Sequence, residues 1–472
     1  MKLHKRIAAG ALAALMMAAV ASGCQSGTTT QSSGGGSGDG ASEEKVAITV
    51  SGWPKKTDTN YAKQQAYLET FKKKYPNIEI TTDEWSYDAN SFLPKAASGQ
   101  LPTVWFTWFT EANKIMDSNY AKDITALAKK YGYADAINPA MMKLITRDGK
   151  IYGLPNGGYS IGLLCNVNLF KQAGLVDASG VPKFPTTWDE VATTAQTIQQ
   201  KTGKAGFALP TESNCGGWMF MNIAWSYGTV FETKEDGKWK ATFNSPECEA
   251  ALKYLSDLKY KYNVVPENAL LLRDDTLKMI GTDQLAMTVE ANDMFNNIIN
   301  TTKISKDALA MTTVPAGPKG KTPLMGGAFI CFAPNATDAQ VEAGIKWLQV
   351  AGFSPDVTDE VKQAWETSYK GDSEKGLIVG PKGFALWTNK ERVDAENAVK
   401  EKYKNVNMDL WKTYDEHCTE GVKVEEPVNA QELYKAFDSI IQNVFTDKNV
   451  NIKQVLDDAA KSFQSDYLDS AQ

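Results

Sequence analysis

The chain has 472 residues, of which 43% are hydrophobic and 10% aromatic, and its formal net charge is −6. This length exceeds the size at which a single core stops growing, so two domains or lobes are expected. The acidic balance argues against nucleic acid as a partner, and it increases once the basic leader residues Lys2, Lys5 and Arg6 are removed.

The first residues predict export. The basic start leads into an apolar run, residues 7–20, and then into Ala21-Ser22-Gly23-Cys24. A membrane span needs roughly 20 apolar residues, so the shorter run is typical of a signal peptide, assigned to residues 1–23. The ending resembles the lipobox of bacterial lipoproteins, in which Cys24 is acylated, although Ala21 replaces the usual Leu. Ordinary cleavage with a free Cys24 is the alternative.

Residues 24–45 are interpreted as the lipidated cysteine and a flexible linker. The segment after Cys24 is rich in Gln, Ser, Gly and Thr, which bury little and behave as a flexible coil. One acyl chain binds a membrane only reversibly, so stable anchoring implies several chains on Cys24. The linker then keeps a folded body close to the outer face of the cell membrane.

The folded part opens with a βαβ pattern. Residues 46–50 predict a strand, residues 61–75 a helix with Leu68 and Phe71 on its buried face, and residues 78–82 a second strand. A crossover helix returns the chain in the same direction, so the two strands are expected to be parallel. A further apolar run covers residues 103–109.

Later helix signals indicate an α/β protein with a helical C-terminal part. Thr187 and Glu190 have capping-box spacing and open a helix that Gly203 can close. Ser245-Pro246 predicts another helix start, with Ser245 as the N-cap and proline in the first turn. From about residue 337 apolar residues recur at helical spacing.

Cysteine and histidine are scarce and predict no metal site. Beyond Cys24 the chain has Cys165, Cys215, Cys248, Cys331 and Cys418, an odd number without metal-type spacing, and after the leader its only histidine is His417. The five cysteines are interpreted as small buried hydrophobic residues. We expect no cofactor and a monomeric protein.

Two enzymatic alternatives arise from the residues. Residues 158–162 match G-x-S-x-G, the elbow that exposes a serine nucleophile, here Ser160, with His417 later in the chain. The turn-rich segment before it, which includes Pro155, does not suit the strand that this elbow requires. A glycosidase needs two carboxylates about 5 to 9 Å apart, and Glu290, at the end of an apolar strand, is the best single candidate.

Aromatic residues at predicted element ends indicate a ligand cleft. A ring can stack on the apolar face of a sugar while neighbouring polar side chains bind its hydroxyl groups. Core packing is the simpler interpretation for any one of them, but the set favours a cleft. These residues are Trp53, Trp105, Trp108, Tyr159, Trp218 and Trp387.

Several segments resemble family 1 extracellular solute-binding proteins, the lipid-anchored receptors of ATP-binding-cassette importers typified by maltodextrin-binding protein. The strongest match is the series DGKIYGLP, GLLCN and LFKQAGL at residues 148–155, 162–166 and 169–175. Residues 97–104, 185–190, 284–287 and 314–320 follow in the order found in the family. The resemblance covers nearly the entire chain that remains after the predicted signal peptide is removed.

The resemblance implies a two-lobe periplasmic-binding-protein-like (type II) fold with hinge crossovers near residues 159–160, 289–292 and 332–335. It assigns residues 46–158 plus 291–333 to the N-lobe, and residues 159–290 plus 334–472 to the C-lobe. A sugar or oligosaccharide would be held between the lobes and delivered to the membrane subunits of an ABC permease.

The resemblance also carries ligand positions onto this sequence. They are expected at Trp53, Lys55, Phe106, Trp108, Tyr159, Asn214, Trp218, Glu290, Asn292, Gly327 and Trp387. Two departures bear on the ligand: Asn292-Asp293 stands where the family often has a stacking tryptophan, and Cys165 replaces the usual tyrosine. The ligand therefore need not be a linear maltodextrin, and the carboxylates leave a cationic solute open.

Overall fold

A computed structural model describes residues 45–58, 60–88 and 91–471 of the chain. The predicted signal peptide, the lipidation site Cys24 and the linker up to residue 44 lie outside these residues. Within the described residues no helix is both long and apolar enough to cross a membrane.

The strands alternate with helices up to Phe332, and one further short strand lies near the end of the chain. They are β1 Val46–Val50, β2 Ile78–Thr82, β3 Val104–Trp108, β4 Thr146–Arg147, β5 Lys150–Ile151, β6 Leu154–Asn166, β7 Ala205–Phe207, β8 Glu232–Glu235, β9 Lys238–Ala241, β10 Leu285–Ala291, β11 Leu309–Thr313, β12 Leu324–Phe332 and β13 Lys423–Val424.

Helices dominate the last third. The α-helices are α1 Tyr61–Lys74, α2 Phe92–Ala97, α3 Ala112–Asp117, α4 Thr125–Lys130, α5 Tyr133–Ala136, α6 Pro139–Leu144, α7 Val167–Ala173, α8 Trp188–Thr202, α9 Cys215–Tyr227, α10 Pro246–Tyr260, α11 Arg273–Gly281, α12 Phe295–Thr302, α13 Asp338–Val350, α14 Asp359–Glu374, α15 Lys390–Tyr403, α16 Lys412–His417, α17 Ala430–Thr446 and α18 Ile452–Phe463. The predicted α/β class with a helical C-terminal part is confirmed.

Local sequence signals set the limits of two long helices. The Thr187 hydroxyl accepts a hydrogen bond from the backbone N–H of Glu190 at 3.2 Å, and Gly203 ends α8 in the left-handed conformation. The Ser245 hydroxyl accepts from the backbone N–H of Cys248 at 3.3 Å and begins α10. The predicted βαβ opening is also present, because β1 and β2 pair in parallel.

One mixed sheet joins the two halves of the molecule, with strand order β2-β1-β3-β12-β6-β10-β7. The long strand β6 changes partners along its length. Its first half, up to Ser160, pairs antiparallel with β12. Its second half, from Ile161, pairs antiparallel with β10 on one side and β11 on the other. Strand β6 therefore belongs to both halves.

Buried side chains form two separate hydrophobic cores on either side of this change. The N-lobe core includes Ile48, Val104 and Leu154 and extends to α13. The C-lobe core begins at Ile161 in β6 and includes most of α9, α10 and α17. The five cysteines carry free thiols, and all except the half-buried Cys215 are buried.

The packing differs from the predicted lobe boundaries in two segments. Phe295 and Met311, in the range 291–333 predicted for the N-lobe, pack in the C-lobe core because β11 pairs with the second half of β6. Helix α13, predicted for the C-lobe, packs in the N-lobe core, where Trp347 lies 5.6 Å from Trp53. By this packing, the second change of core falls within β12, after Leu324.

A buried carboxyl group lies in the C-lobe hairpin formed by β8 and β9. Glu232 is only 7% exposed. Burial, with a further contribution from the nearby Glu426, raises its pKa to about 8. Glu426 itself accepts hydrogen bonds from Trp225 Nε1 at 3.0 Å and Lys423 Nζ at 2.9 Å. Glu232 is therefore mostly protonated at neutral pH.

We expect Glu232→Gln to stabilise the protein at high pH only. Between about pH 4.5 and 8 the folded state holds a proton that the unfolded state releases, so the free energy of unfolding falls as pH rises. The variant does not lose stability in this way. Its free energy of unfolding should exceed that of the wild type by about 1–3 kcal/mol at pH 8.5 and by almost nothing at pH 5. Thermal melting at both pH values measures it, and Glu235→Gln, exposed on the same strand, is the control. An equal gain at both pH values contradicts the prediction.

Candidate functional site

A cavity of about 170 Å³ lies between residues of the two lobes. We call it the aromatic cavity. Its lining comes from the end of β3, from β6, from the loop before α9 and from the chain around α11, β13 and α17. The lining residues are Trp108, Thr110, Tyr159, Ser213, Asn214, Cys215, Trp218, Arg273, Glu425, Gln431 and Tyr434. A cavity of about 150 Å³ can hold a benzene ring, so this one has room for one six-membered ring.

Aromatic rings form the walls of the cavity. Tyr159 meets Trp218 edge to face, with ring centroids 5.9 Å apart. Trp218 is 9% exposed and is fixed by packing in α9, whereas Trp108 on the opposite lobe is 40% exposed. The Trp108 ring is supported by Tyr87 at 5.2 Å. Aromatic rings from both lobes therefore line the cavity, and such rings can stack on a partly apolar ring.

Arg273 is the main positive charge of the cavity, and the protein neutralises it. Glu290 in β10, 1% exposed, accepts hydrogen bonds from Arg273 Nε at 3.0 Å and from its terminal nitrogen at 2.5 Å. The guanidinium group also lies 5.2 Å from the Trp218 ring centroid. This two-point pairing fixes the plane of the guanidinium group beside the aromatic wall.

The carboxyl group of Glu425, the acidic group of the cavity, is kept mostly uncharged at neutral pH. Burial raises the pKa of Glu425 to about 8, and the charge of Glu111 adds to the rise. The Tyr434 hydroxyl donates a hydrogen bond to Glu425 at 3.2 Å. At pH 7 the cavity therefore presents a carboxylic acid, a paired guanidinium group, hydroxyls and amides.

The loop before α9 is held in shape from α17. Ser213 and Asn214 both have positive φ, at 59° and 65°. The Asp438 carboxylate accepts from the backbone N–H groups of Asn214 at 2.6 Å and Gly217 at 2.8 Å. These bonds keep two uncommon backbone conformations in place and point the loop toward the cavity.

Two hydrogen bonds connect the lobes at the cavity. Gln431 Nε2 donates to Thr110 Oγ1 at 3.3 Å, and Asn113 Nδ2 donates to the Pro427 carbonyl at 2.9 Å. Thr110 and Asn113 follow β3 in the N-lobe, whereas Pro427 and Gln431 adjoin α17 in the C-lobe. The described structure thus shows the lobes in contact around the cavity.

The structure brings together four of the predicted ligand residues, Trp108, Tyr159, Asn214 and Trp218, in the aromatic cavity. Glu290 lies behind the cavity and reaches it only through Arg273.

The other predicted residues lie elsewhere. Trp53 is buried against Trp347, Lys55 is exposed after β1, and Phe106 packs against Gly52. Gly327 lies in β12, where a Cβ would meet the Gly157 carbonyl oxygen at 2.4 Å, so it serves close strand packing.

Asn292 and Trp387 line two further cavities. Trp387 is 8% exposed, and its ring centroid lies 4.0 Å from the guanidinium carbon of Arg392. Its main contacts are thus with the protein itself.

Sequence reasoning missed most of the polar lining. Arg273 is the first residue of α11 and follows an apolar stretch. Its role becomes visible only in the folded protein, where it pairs with Glu290. Glu425, Gln431 and Tyr434 come from the C-terminal part, where the family segments quoted above give no landmark. These residues meet the cavity through tertiary packing that local patterns do not encode.

The two enzymatic arrangements are not assembled among the described residues. Ser160 is fully buried in β6, and its hydroxyl lies 3.5 Å from the carbonyl oxygen of Ile161. His417 is exposed at the end of α16 and contacts Glu420 at 2.8 Å. Glu290 is engaged by Arg273 and does not line the cavity.

A family model described as a bacterial extracellular solute-binding protein matches residues 66–367, more than half of the chain. The chain belongs to this family, as its sequence segments predicted, and the protein is therefore exported. The family consists of binding proteins.

Curated binding proteins from Brucella abortus (strain 2308) and Brucella suis biovar 1 (strain 1330) are 26% identical to this chain over 228 residues. The match covers 46% of this chain and 53% of each relative, so the chain spans about half the length of these curated relatives.

Solved structures show the same fold at low identity. An ABC transporter solute-binding protein from Thermotoga lettingae, bound with alpha-D-tagatose, is 19% identical with a TM-score of 0.67 and covers 89% of this chain and 99% of its own. A cyclic alpha-maltosyl-1,6-maltose binding protein from Arthrobacter globiformis is 21% identical with a TM-score of 0.63 and covers 89% and 98%. The predicted two-lobe periplasmic-binding-protein-like fold is confirmed.

The Arg273–Glu290 pair leads to a stability prediction. Glu290→Leu leaves the guanidinium group without its partner and should cost about 3 kcal/mol, the low end for a broken buried pair because Arg273 is 26% exposed. The double variant Arg273→Met with Glu290→Leu should lose less than Glu290→Leu alone. Urea denaturation of the single and double variants tests this, and a double variant that loses the sum of the two single losses contradicts it.

Proposed function

We propose that this protein is an extracytoplasmic receptor that binds a neutral sugar, or one ring of an oligosaccharide, in the aromatic cavity and delivers it to an ABC permease. The observation that carries the proposal is that Trp108 from the N-lobe, Trp218 from the C-lobe and Tyr159 from the shared strand β6 line one cavity with space for one six-membered ring. The sugars named for the two similar solved structures support it.

The charge state of the cavity favours a neutral ligand over a cationic one. Arg273 is balanced by Glu290, and Glu425 is mostly protonated at pH 7. Hydroxyl groups both donate and accept hydrogen bonds, so they match the mixed set of hydroxyl, amide and carboxylic acid groups in the lining. A charged solute would lose its hydration without gaining an opposite charge.

Binding acts through closure of the lobes. In an open form the ligand contacts one lobe, and in the closed form it contacts both and adds to the Thr110–Gln431 and Asn113–Pro427 hydrogen bonds. A ligand shifts the equilibrium only by its differential affinity for the two forms. Reversing a 99:1 preference takes about 5.5 kcal/mol of that difference.

The proposal includes no catalytic step. The ligand is released unchanged, because Ser160 is buried, Glu290 is paired with Arg273, and Glu425 is the one carboxyl group among the cavity-lining residues, whereas glycoside hydrolysis uses two. We further propose that the protein acts as a monomer tethered to the outer face of the cell membrane by lipid on Cys24. The signal-like leader and the flexible linker in the sequence support this part.

Trp108→Ala tests the function directly. The ring is 40% exposed in the described structure, so its loss should leave the fold intact, while the cavity loses one wall. Binding of the tightest sugar in a panel of mono- and disaccharides, measured by calorimetry, should weaken by at least about tenfold. Trp239→Ala, in the hairpin outside the cavity, is the matched control. Unchanged affinity in Trp108→Ala, or no binding of any sugar, overturns the proposal.

The affinity should also depend on the protonation of Glu425. Ligand binding excludes water and favours the neutral acid, so affinity should be constant up to about pH 7 and fall above pH 8. Glu425→Gln should bind equally at pH 6.5 and pH 9. Glu420→Gln, an exposed glutamate on a neighbouring turn, should keep the wild-type profile. If the affinity of Glu425→Gln still falls above pH 8, the prediction is wrong and another group causes the pH dependence.

A further inference from the structure

Helix α3 of the N-lobe carries a polar side chain that reaches the C-lobe. Its buried residues Ala112, Ile115 and Met116 fix the helix in the N-lobe core, whereas Asn113 is exposed. Asn113 Nδ2 donates a hydrogen bond to the carbonyl oxygen of Pro427 at 2.9 Å. A side chain mounted on a fixed element of one lobe thus holds the backbone of the other lobe.

Arg147 holds the amide group of Asn113 in one orientation. One terminal nitrogen of Arg147 donates to Asn113 Oδ1 at 2.8 Å, and the other terminal nitrogen pairs with the carboxylate of Asp117. Asn113 and Asp117 are four residues apart and therefore share one face of α3. The guanidinium group spans this face and fixes the Asn113 side chain from within the N-lobe.

The chemistry of the two partners requires an amide at position 113. The guanidinium group of Arg147 can only donate hydrogen bonds, and the carbonyl oxygen of Pro427 can only accept them. The oxygen of Asn113 must therefore face Arg147 and its nitrogen must face Pro427, because a flipped amide would lose both hydrogen bonds. A carboxylate of the same shape satisfies Arg147 but not Pro427.

Pro427 ends the short segment that brings Glu425 to the aromatic cavity. We call residues 425–427 the acid segment. It follows β13, and the Tyr434 hydroxyl in α17 donates a hydrogen bond to Glu425 at 3.2 Å. These contacts hold the segment from the C-lobe, and Asn113 adds a contact from the N-lobe at Pro427.

Asn113 acts on the cavity without lining it. A second space of about 390 Å³ lies beside the aromatic cavity, and its lining includes Asn113, Arg147, Glu425 and Pro427. Glu425 lines both spaces, whereas Asn113 and Arg147 line the second space and not the aromatic cavity. The acid segment is therefore the connection between Asn113 and the cavity.

We propose that Asn113, oriented by Arg147, is a positioning residue for ligand binding: it clamps the acid segment when the lobes close and so raises the affinity from outside the cavity. The inference rests on the proposed function, because that function assigns the ligand to the aromatic cavity. The hydrogen bond from Asn113 to Pro427 forms only when the lobes are together, so it stabilises the closed form alone. Sugars of different structure should gain affinity by a similar factor, mainly through slower dissociation.

Asn113→Asp tests the inference. The variant keeps an oxygen for Arg147 and places an acceptor against the Pro427 carbonyl. The tightest ligand among glucose, galactose, mannose, maltose, cellobiose and lactose should bind at least about threefold more weakly, the value of one net hydrogen bond. Its dissociation rate, measured by stopped-flow fluorescence, should rise by the same factor. The melting temperature of the ligand-free protein should stay at the wild-type value, because the contact within the N-lobe remains.

The control is Asn297→Asp, which makes the same chemical change at an exposed position of α12. It should leave affinity and dissociation rate unchanged. Asn113→Ala should show the same loss as Asn113→Asp and provides the test if the latter does not fold. Wild-type affinity in these Asn113 variants overturns the inference and leaves the proposed function standing, whereas no binding of any sugar by the wild type overturns the proposed function and the inference with it.

A double-mutant cycle tests the part played by Arg147. Arg147→Met leaves the Asn113 amide without its orienting partner and should weaken the same sugar by about twofold or more. In the Asn113→Ala background the same substitution should have no further effect, because the group that Arg147 orients is absent. An equal loss in both backgrounds contradicts an action of Arg147 through Asn113.

Discussion

The architecture depends on one strand that belongs to both lobes. The first half of β6 pairs with β12 and its second half with β10 and β11, so the two cores meet along a single continuous backbone. Tyr159, at this junction, points its ring into the aromatic cavity, and the Tyr414 hydroxyl holds the carbonyl of the next residue, Ser160. A ligand bound in the aromatic cavity, as proposed, would therefore contact the strand that joins the two lobes.

The charges of the cavity are balanced within the protein. Glu290 pairs with Arg273, and burial keeps Glu425 protonated at neutral pH. The ion pair and the protonated state of Glu425 both lower the free-energy cost of removing water from the cavity, because neither leaves a charge that solvent must compensate. They also explain how a cavity with titratable groups could bind the uncharged ligand that we propose.

Local sequence patterns predicted the features that depend on neighbouring residues in the chain. The strand at β1, the caps of α8 and α10, and the aromatic residues Trp108 and Trp218 all follow from spacing and residue type. The lobe boundaries and the polar lining did not follow. Helix α13 joins the N-lobe core, and Glu425 and Tyr434 reach the cavity from the end of the chain. Those placements depend on which surfaces pack together, which periodicity does not specify.

The shared strand also governs when the protein can become functional. The first half of β6 cannot pair until β12 has been synthesised, and the cavity is incomplete until its last three lining residues, Glu425, Gln431 and Tyr434, are present. Contacts so distant along the chain form slowly. Since the protein is exported, its complete cavity can form only after nearly the whole chain has been delivered.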